Sequence, residues 1–306
     1  MTAALLIEQL LNGVQLGVML FLTAAGLTLV FGVMGLINLA HGSLYMTGAF
    51  ICAWVAGATG SFWLGLAAGA AAAAAAGALV EMAVIRRLYD RDHLDQVLAT
   101  FALILIFSEG TRWIFGSQPL WLDVPSVLSG AVALPGGAAY PIYRLAIILA
   151  GLAVAAGLWL LISRTRLGMR IRAGESDREM IAALGIDIRS LYTAVFALGA
   201  ALAGLSGALV GALQSVQVGM GEPVLILAFV VIVIGGIGSV LGAFIAALLV
   251  GITDTLGRVF LPMAFAGFMP PAEAAGVGGA LASMLIYVLM AGVLIWRPQG
   301  LFPAGA

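Results

Sequence analysis

The chain has 306 residues, of which 63% are hydrophobic and 9% are charged, whereas an average soluble domain has about 25% charged residues. A polypeptide of this composition cannot cover its surface with polar side chains, which excludes a soluble globular enzyme. The net charge of −1 provides no basic surface, so no nucleic-acid partner is expected.

Several apolar stretches reach or exceed the roughly 20 residues that a helix needs to cross a ~30 Å hydrocarbon core. The sequence therefore predicts an all-α integral membrane protein, a bundle of about eight membrane segments. We expect a multi-pass protein of the bacterial cytoplasmic (inner) membrane, in contact with membrane lipid and folded as a single transmembrane domain over residues 1–306.

The first predicted interruption lies in the sequence GLINLAHGSLYMTGAF, where two apolar segments meet around Asn38, His41, Gly42 and Ser43. An unsatisfied polar group in hydrocarbon costs several kcal/mol, so these residues are expected to face protein or a cavity. His41 is expected either to bond to backbone carbonyls freed by the break or to line a translocation path. Nucleophilic catalysis by His41 and Ser43 is disfavoured, because residues two apart on a helix do not face each other.

Isolated polar residues elsewhere are assigned ordinary roles. Glu81, near the expected inner interface, is predicted to extend toward that interface rather than to relay protons. Cys52 is predicted to be a buried small apolar residue, and His93, among charged neighbours, a solvated one. A single histidine does not make a metal site, so no metal is expected.

All thirteen basic residues are arginine, and their clusters predict which side of the membrane is cytoplasmic. Apolar runs at 94–115 and 142–163 predict two crossings around an external loop. Arg112 and Arg258 lie three or four residues after a carboxylate, so a local pair on one helix face explains their presence outside the clusters. The clusters are Arg86, Arg87 and Arg91, then Arg164, Arg166, Arg170, Arg172, Arg178 and Arg189, and finally Arg297.

The arginine-rich segment 163–190 is predicted to contain a short helix. Ser176 and Glu179 fit a capping box, and Gly185 stands where the helix would stop, about two turns later. The end of this helix, including Ala182 and Ala183, is apolar and is expected to need a protein partner. The alternative is an ordinary capped helix that packs on its own bundle.

The apolar run 223–256 is too long for one crossing, because 34 helical residues would extend about 51 Å. Between Arg189 and Arg297 the number of crossings must also be even. Both observations predict a re-entrant or broken helix at Gly235, Gly236, Gly238 and Ser239. Interrupted segments in both halves of a chain are typical of the central pathway of transporters with inverted repeats.

Four motifs in this order resemble the permease subunit of an ATP-binding cassette (ABC) importer for branched-chain amino acids, the LivH type. The resemblance covers nearly the whole chain and implies a type II-like importer permease. Relatives of this permease also carry amides, urea or organic acids, which leaves the substrate open. The motifs are NGVQLGVMLFLTAAGLTLVFGVMGLINLAHG at 12–42, RTRLGMRIRAGESDREMIAALGI at 164–186, VIGGIGSVLGAFIAALLVG at 233–251 and RPQGLF at 297–302.

The resemblance implies partners and a division of labour. A second permease subunit is expected, LivM-like rather than a second copy, together with two cytoplasmic ATP-binding subunits and a periplasmic substrate-binding protein. No cofactor is expected on this chain, since ATP and Mg would sit on the partner ATPases and no GxxxxGK[ST] motif occurs in the sequence. ATPase coupling is implied for segment 164–189, at Thr165, Arg166, Gly168, Arg170, Arg172, Ala173, Ser176, Asp177, Glu179, Ala182, Ala183 and Gly185.

A passive channel or facilitator for a small polar solute is the alternative function. A facilitator has no use for a capped amphipathic helix in an arginine-rich loop, so this loop favours an ATPase partner. Deleting the loop would be harmless to a channel.

Overall fold

The computed structural model describes residues 3–89, 91–134 and 139–302. Helices dominate, and a two-stranded antiparallel sheet pairs β1 (Ala131–Ala133) with β2 (Ala139–Pro141). The α-helices are α1 (Ala3–Met34), α2 (His41–Thr59), α3 (Phe62–Ala83), α4 (His93–Phe115), α5 (Ile142–Arg164), α6 (Arg166–Ser176), α7 (Arg178–Ala183), α8 (Ile188–Val210), α9 (Gly221–Gly235), α10 (Val240–Phe265) and α11 (Pro271–Trp296).

Seven helices in the described part of the chain are long and apolar enough to cross a membrane: α1, α3, α4, α5, α8, α10 and α11. Helix α9 is also apolar, but its 15 residues extend only about 22 Å. The predicted helical bundle of about eight membrane segments is confirmed.

The chain divides into two compact units, one made of residues 1–21, 126–152 and 229–306 and the other of residues 22–125 and 153–228. Helices α10 and α11 belong to the first unit, and α2, α3, α4 and α8 belong to the second. The prediction of a single domain over residues 1–306 stays a prediction.

In the second unit, α2, α3 and α8 pack against one another through glycines. A Cβ atom on Gly48 would overlap the backbone of Gly204, and one on Gly69 would lie 2.5 Å from the carbonyl oxygen of Gly48. Because side chains are absent at these contacts, the helix backbones approach closely. This packing is typical of membrane helices, which gain little from a hydrophobic effect between them.

In the first unit, α10 and α11 form an antiparallel pair, and the first half of α1 packs against α10. A Cβ on Gly17 would lie 2.8 Å from the carbonyl oxygen of Ala247, and one on Gly251 would meet the backbone of Gly13 and Gly17. Close approach of glycines therefore supports helix packing within each of the two units.

The predicted interruption near the N-terminal end is confirmed and lies at residues 35–40. Helix α1 ends at Met34, and Gly35 has a φ of +66°, a left-handed conformation that glycine adopts without strain. His41 is the first residue of α2 and Ser43 lies inside its first turn. Only Asn38, of the polar residues predicted between the two segments, is outside both helices.

Candidate coupling surface and helix breaks

The predicted coupling segment contains two helices, α6 and α7, instead of one. The prediction that Ser176 caps the helix is wrong, because Ser176 still belongs to α6. The cap is Asp177, whose backbone is extended and whose side chain accepts a hydrogen bond from the backbone N–H of Met180 at 2.9 Å. The side chain of Glu179 lies outside the described residues. Gly185 follows the helix end with a φ of +83°, which confirms the predicted stop.

The apolar end of helix α7 is exposed on the surface of the chain. Ala182 and Ala183 are exposed, and the neighbouring Met180 and Leu184 are 57% and 73% exposed. Among the described side chains of α7, Ile181 turns inward and is buried. An apolar cluster of this kind, next to charged residues, is typical of a protein-binding surface.

The start of the segment is fixed to the end of α5. The side chain of Thr165 accepts a hydrogen bond from the backbone N–H of Gly168 at 3.1 Å, and a Cβ on Gly168 would overlap the carbonyls of residues 161 and 162. Arg172 donates to the same carbonyl of residue 162 at 2.8 Å. The exposed arginines of α6 are Arg166, Arg170 and Arg172, and Ala173 is half-buried.

A cavity of about 380 Å³ lies between the end of α1 and the junction of α6 and α7, lined by residues 32–35 and 174–177. The half-buried Glu175 is on its wall, and burial raises the pKa of this carboxyl group above its ordinary value. The C-terminal ends of α1 and α6, which carry partial negative charge, both lie at this cavity.

The polar residues of the first break are buried in protein. Asn38 and His41 are 0% exposed and Ser43 is 5% exposed. The Nε2 atom of His41 lies 3.2 Å from the carbonyl oxygen of Thr23, inside α1, and Asn38 Oδ1 accepts from the N–H of Ala40 at 3.0 Å. These contacts favour the structural alternative for His41, with one difference: the carbonyl belongs to the helix interior rather than to the break. A role in the translocation path stays a prediction.

The start of α9 lies against the start of α2, a contact that sequence reasoning missed. A Cβ on Gly42 would be 2.6 Å from the carbonyl oxygen of Gly221, and Gly219, with a φ of +86°, donates its N–H to the sulfur of Met46 at 3.3 Å. The acidic residue at the helix start, Glu222, was the available signal in sequence. It interrupts an apolar stretch as Asn38 and His41 do.

The predicted glycine break between α9 and α10 is confirmed. Gly236 and Gly238 have φ values of +102° and +83°, and Ser239 caps α10 by accepting from the N–H of Gly242 at 3.0 Å. Gly235 packs on the backbone of Gly242. These residues form a tight turn in which glycine is required twice.

The C-terminal motif closes this turn, which the sequence did not predict. The backbone N–H groups of Leu301 and Phe302 donate to the carbonyls of Ile234 and Gly235, both at 2.9 Å. The last carbonyls of a helix have no partner within the helix, so residues 301 and 302 satisfy the end of α9. The family motif RPQGLF therefore has a structural role here.

Glu81 is fully buried, so the prediction that it extends toward the interface is wrong. Its carboxylate accepts two hydrogen bonds from Arg86, at 2.8 and 3.1 Å, one from Tyr89 at 2.5 Å and one from Thr193 at 2.6 Å. Burial and the hydrogen bond to Glu81 raise the pKa of Tyr89, which keeps its hydroxyl protonated as a donor. The buried carboxylate is satisfied, because the lone pairs of both its oxygens accept hydrogen bonds.

Apolar spanning helices, two internal breaks and an arginine-rich segment with an exposed apolar helix end define a multi-pass membrane protein. The chain belongs to the family described as branched-chain amino acid transport system / permease component, whose family model matches residues 9–294. The resemblance inferred from the four motifs is therefore confirmed, as is the location in the inner membrane.

Curated relatives agree over almost the full length. The chain is 30% identical to the high-affinity branched-chain amino acid transport system permease protein BraD of Pseudomonas aeruginosa, over 96% of this chain and 95% of the relative. It is 28% identical to LivH of Escherichia coli K12, over 96% of both chains. It is also 28% identical to LivM of the same strain, over 91% of this chain and 66% of that relative.

Proposed function

We propose that the chain is one permease subunit of an ABC importer and forms part of the path for branched-chain or related hydrophobic amino acids. The chain does no ATP chemistry itself: ATP and Mg bind to two separate cytoplasmic ATPase subunits, and a periplasmic binding protein delivers the solute. A second, LivM-like permease subunit completes the path, in keeping with relatives of both the LivH and LivM kinds.

The exposed apolar end of α7 is the observation that carries this proposal. The helix is capped by Asp177 and is held by the buried Ile181, whereas Met180 and Leu184 are largely exposed. Exposed apolar side chains next to an arginine-rich helix suit a groove on a protein partner. The arginine clusters support a cytoplasmic location for this partner, where the ATPases are expected.

The test is an uptake assay with the assembled complex in proteoliposomes. Substituting Asp for both Ala182 and Ala183, which are exposed, places two charges in the proposed interface without altering the buried side of α7. We expect ATP-driven uptake of leucine to fall at least tenfold, since burying unpaired charges at an interface costs several kcal/mol.

The control is a double substitution on the exposed face of α4, Leu105→Ala with Ile106→Ala. Alanine is used instead of aspartate because α4 is a candidate membrane span. The control is expected to retain uptake. A double Ala182→Asp and Ala183→Asp variant with wild-type uptake and ATPase stimulation would refute the coupling role. Leucine uptake that needs no ATP would instead indicate a facilitator.

A further inference from the structure

The Glu81 cluster, formed by Glu81, Arg86, Tyr89 and Thr193, joins the end of α3 to the second turn of α8 within the second unit. The hydroxyl of Thr193 donates to the buried carboxylate of Glu81 at 2.6 Å and accepts from Arg86 at 2.8 Å. Both are charge-assisted hydrogen bonds, which are roughly twice as strong as neutral ones. The two helices are therefore linked by bonds that have a fixed direction.

The loop between α3 and α4 takes part in the same link. Tyr89 in this loop donates its hydroxyl to Glu81, and its ring meets that of Tyr192 edge to face, with the centroids 5.0 Å apart. Gln96, a buried residue of α4, donates to two carbonyl groups of the loop, both at 3.1 Å. The end of α3, the loop and the start of α4 are thus tied to the first two turns of α8.

The start of α8 also carries the predicted coupling segment. A short connection leads from α7 to Asp187, which caps α8. The buried side chains of Ile181 in α7 and Leu191 in α8 meet at one point on α6, since a Cβ on Gly174 would lie 3.4 Å and 3.3 Å from them. Closely packed side chains resist compression, so a displacement of α7 is passed to the start of α8.

Elsewhere along α3 and α8, small residues meet. A Cβ on Gly77 would overlap the side chain of Ala200, and one on Gly204 would overlap that of Ala73. Small residues let helix backbones approach closely, but their smooth surfaces form no directional bond. The Glu81 cluster therefore resists sliding of α8 along α3.

We propose that Glu81 and Thr193 transmit movement of the coupling segment from α8 to α3 and α4. They act as positioning residues: neither needs to touch the solute or ATP. This inference rests on the proposed function, because an ATPase partner is what would move α7. Without the hydroxyl of Thr193, α8 would move with the ATPase while α3 and α4 lagged behind, and hydrolysis would be uncoupled from uptake.

The experiment measures leucine uptake and ATP hydrolysis together, with the full complex in proteoliposomes and loaded binding protein present. Thr193→Val keeps the shape of the side chain, removes the hydroxyl and leaves Glu81 bonded to Arg86 and Tyr89. We expect the leucine imported per ATP hydrolysed to fall about tenfold, the effect of losing one charge-assisted hydrogen bond, while hydrolysis stays at the wild-type level. Thr193→Ser, which keeps the hydroxyl, should retain the wild-type ratio.

The matched control is Thr100→Val in α4. Thr100 is also buried, but its hydroxyl donates to carbonyls of its own helix, so the wild-type ratio is expected. A proportional fall of uptake and hydrolysis in Thr193→Val would overturn the inference, because a purely structural defect lowers both together. An unchanged ratio in Thr193→Val, or an equal fall in Thr193→Ser or Thr100→Val, would also overturn it. Leucine uptake without ATP by the wild-type complex would instead refute the proposed function.

Discussion

Replacing Glu81 by Ala should destabilise the protein far more than the same change at Glu109. Both carboxylates pair with an arginine, but the Glu81 side chain is 0% exposed and that of Glu109 is 67% exposed. Removing one partner of a buried ion pair costs about 3–5 kcal/mol, because the other partner loses its compensation. Arg86 is 31% exposed, so hydration of its guanidinium group offsets part of this cost. The expected loss in the free energy of unfolding is therefore about 2–4 kcal/mol.

The contributions to stability of the other two hydrogen-bond donors to Glu81, Thr193 and Tyr89, can be separated. Thr193 also donates to the carbonyl of Arg189, so its hydroxyl keeps a partner in the variant. Tyr89 has its hydroxyl bonded to Glu81 at 2.5 Å and loses that partner. Tyr89→Phe alone removes one hydrogen bond to a charged group, for an expected loss of about 1.5–3 kcal/mol.

The assay is thermal unfolding of the purified protein in detergent, followed by the loss of helical circular dichroism. Glu81→Ala is expected to lower the midpoint by several degrees, at about 2–4 °C per kcal/mol for a chain of this size class. Glu109→Ala should stay within about 1 kcal/mol of wild type, as for exposed pairs generally. Equal midpoints for the two variants would refute the assignment of the Glu81 cluster as a stabilising site.

Two further predictions concern the glycine turn and Glu175, on the wall of the cavity at the end of α1. Gly236→Leu should cost about 2–4 kcal/mol, because φ is +102° and a Cβ would lie 2.7 Å from the carbonyl oxygen of Phe302, whereas Gly292, with no atom within 4 Å of its Cβ position, should tolerate Leu in the same unfolding assay. Glu175 has a pKa raised by burial, so its stabilising contribution is full below its unfolded pKa and is lost as the pH rises through the folded pKa. Glu175→Gln should therefore gain stability relative to wild type as the pH rises through that window, and an unchanged difference would show that burial does not control this carboxyl.

Length and local chemistry made the helix breaks predictable. The run 223–256 exceeds one crossing, and the structure divides it at the glycine turn between Gly235 and Val240. In the same way, Asn38 marked the end of α1 within a few residues. Both signals are local, because a polar residue or a cluster of glycines within an apolar run must be buried in protein or line a cavity in the membrane.

The coupling helix was predicted with its cap one residue early. Ser176 and Asp177 are both good N-cap residues, and the choice between them depends on where α6 ends. Helix α6 extends through Ser176 because its other face packs on α8 and α7: a Cβ on Gly174 would be 3.3 Å from the side chain of Leu191 in α8 and 3.4 Å from that of Ile181 in α7. This packing cannot be read from the sequence alone, so the exact position of the cap could not be predicted.

Contacts between distant glycines explain why the structure pairs the two helix starts in a way that the sequence did not show. Gly42 and Gly221 meet through backbone alone, as do Gly48 and Gly204. A glycine offers no side chain whose polarity or size would identify its partner, and 41 glycines occur in the chain. The packing information therefore resides in pairs that are more than 150 residues apart, while hydropathy reports only that each member lies in an apolar helix.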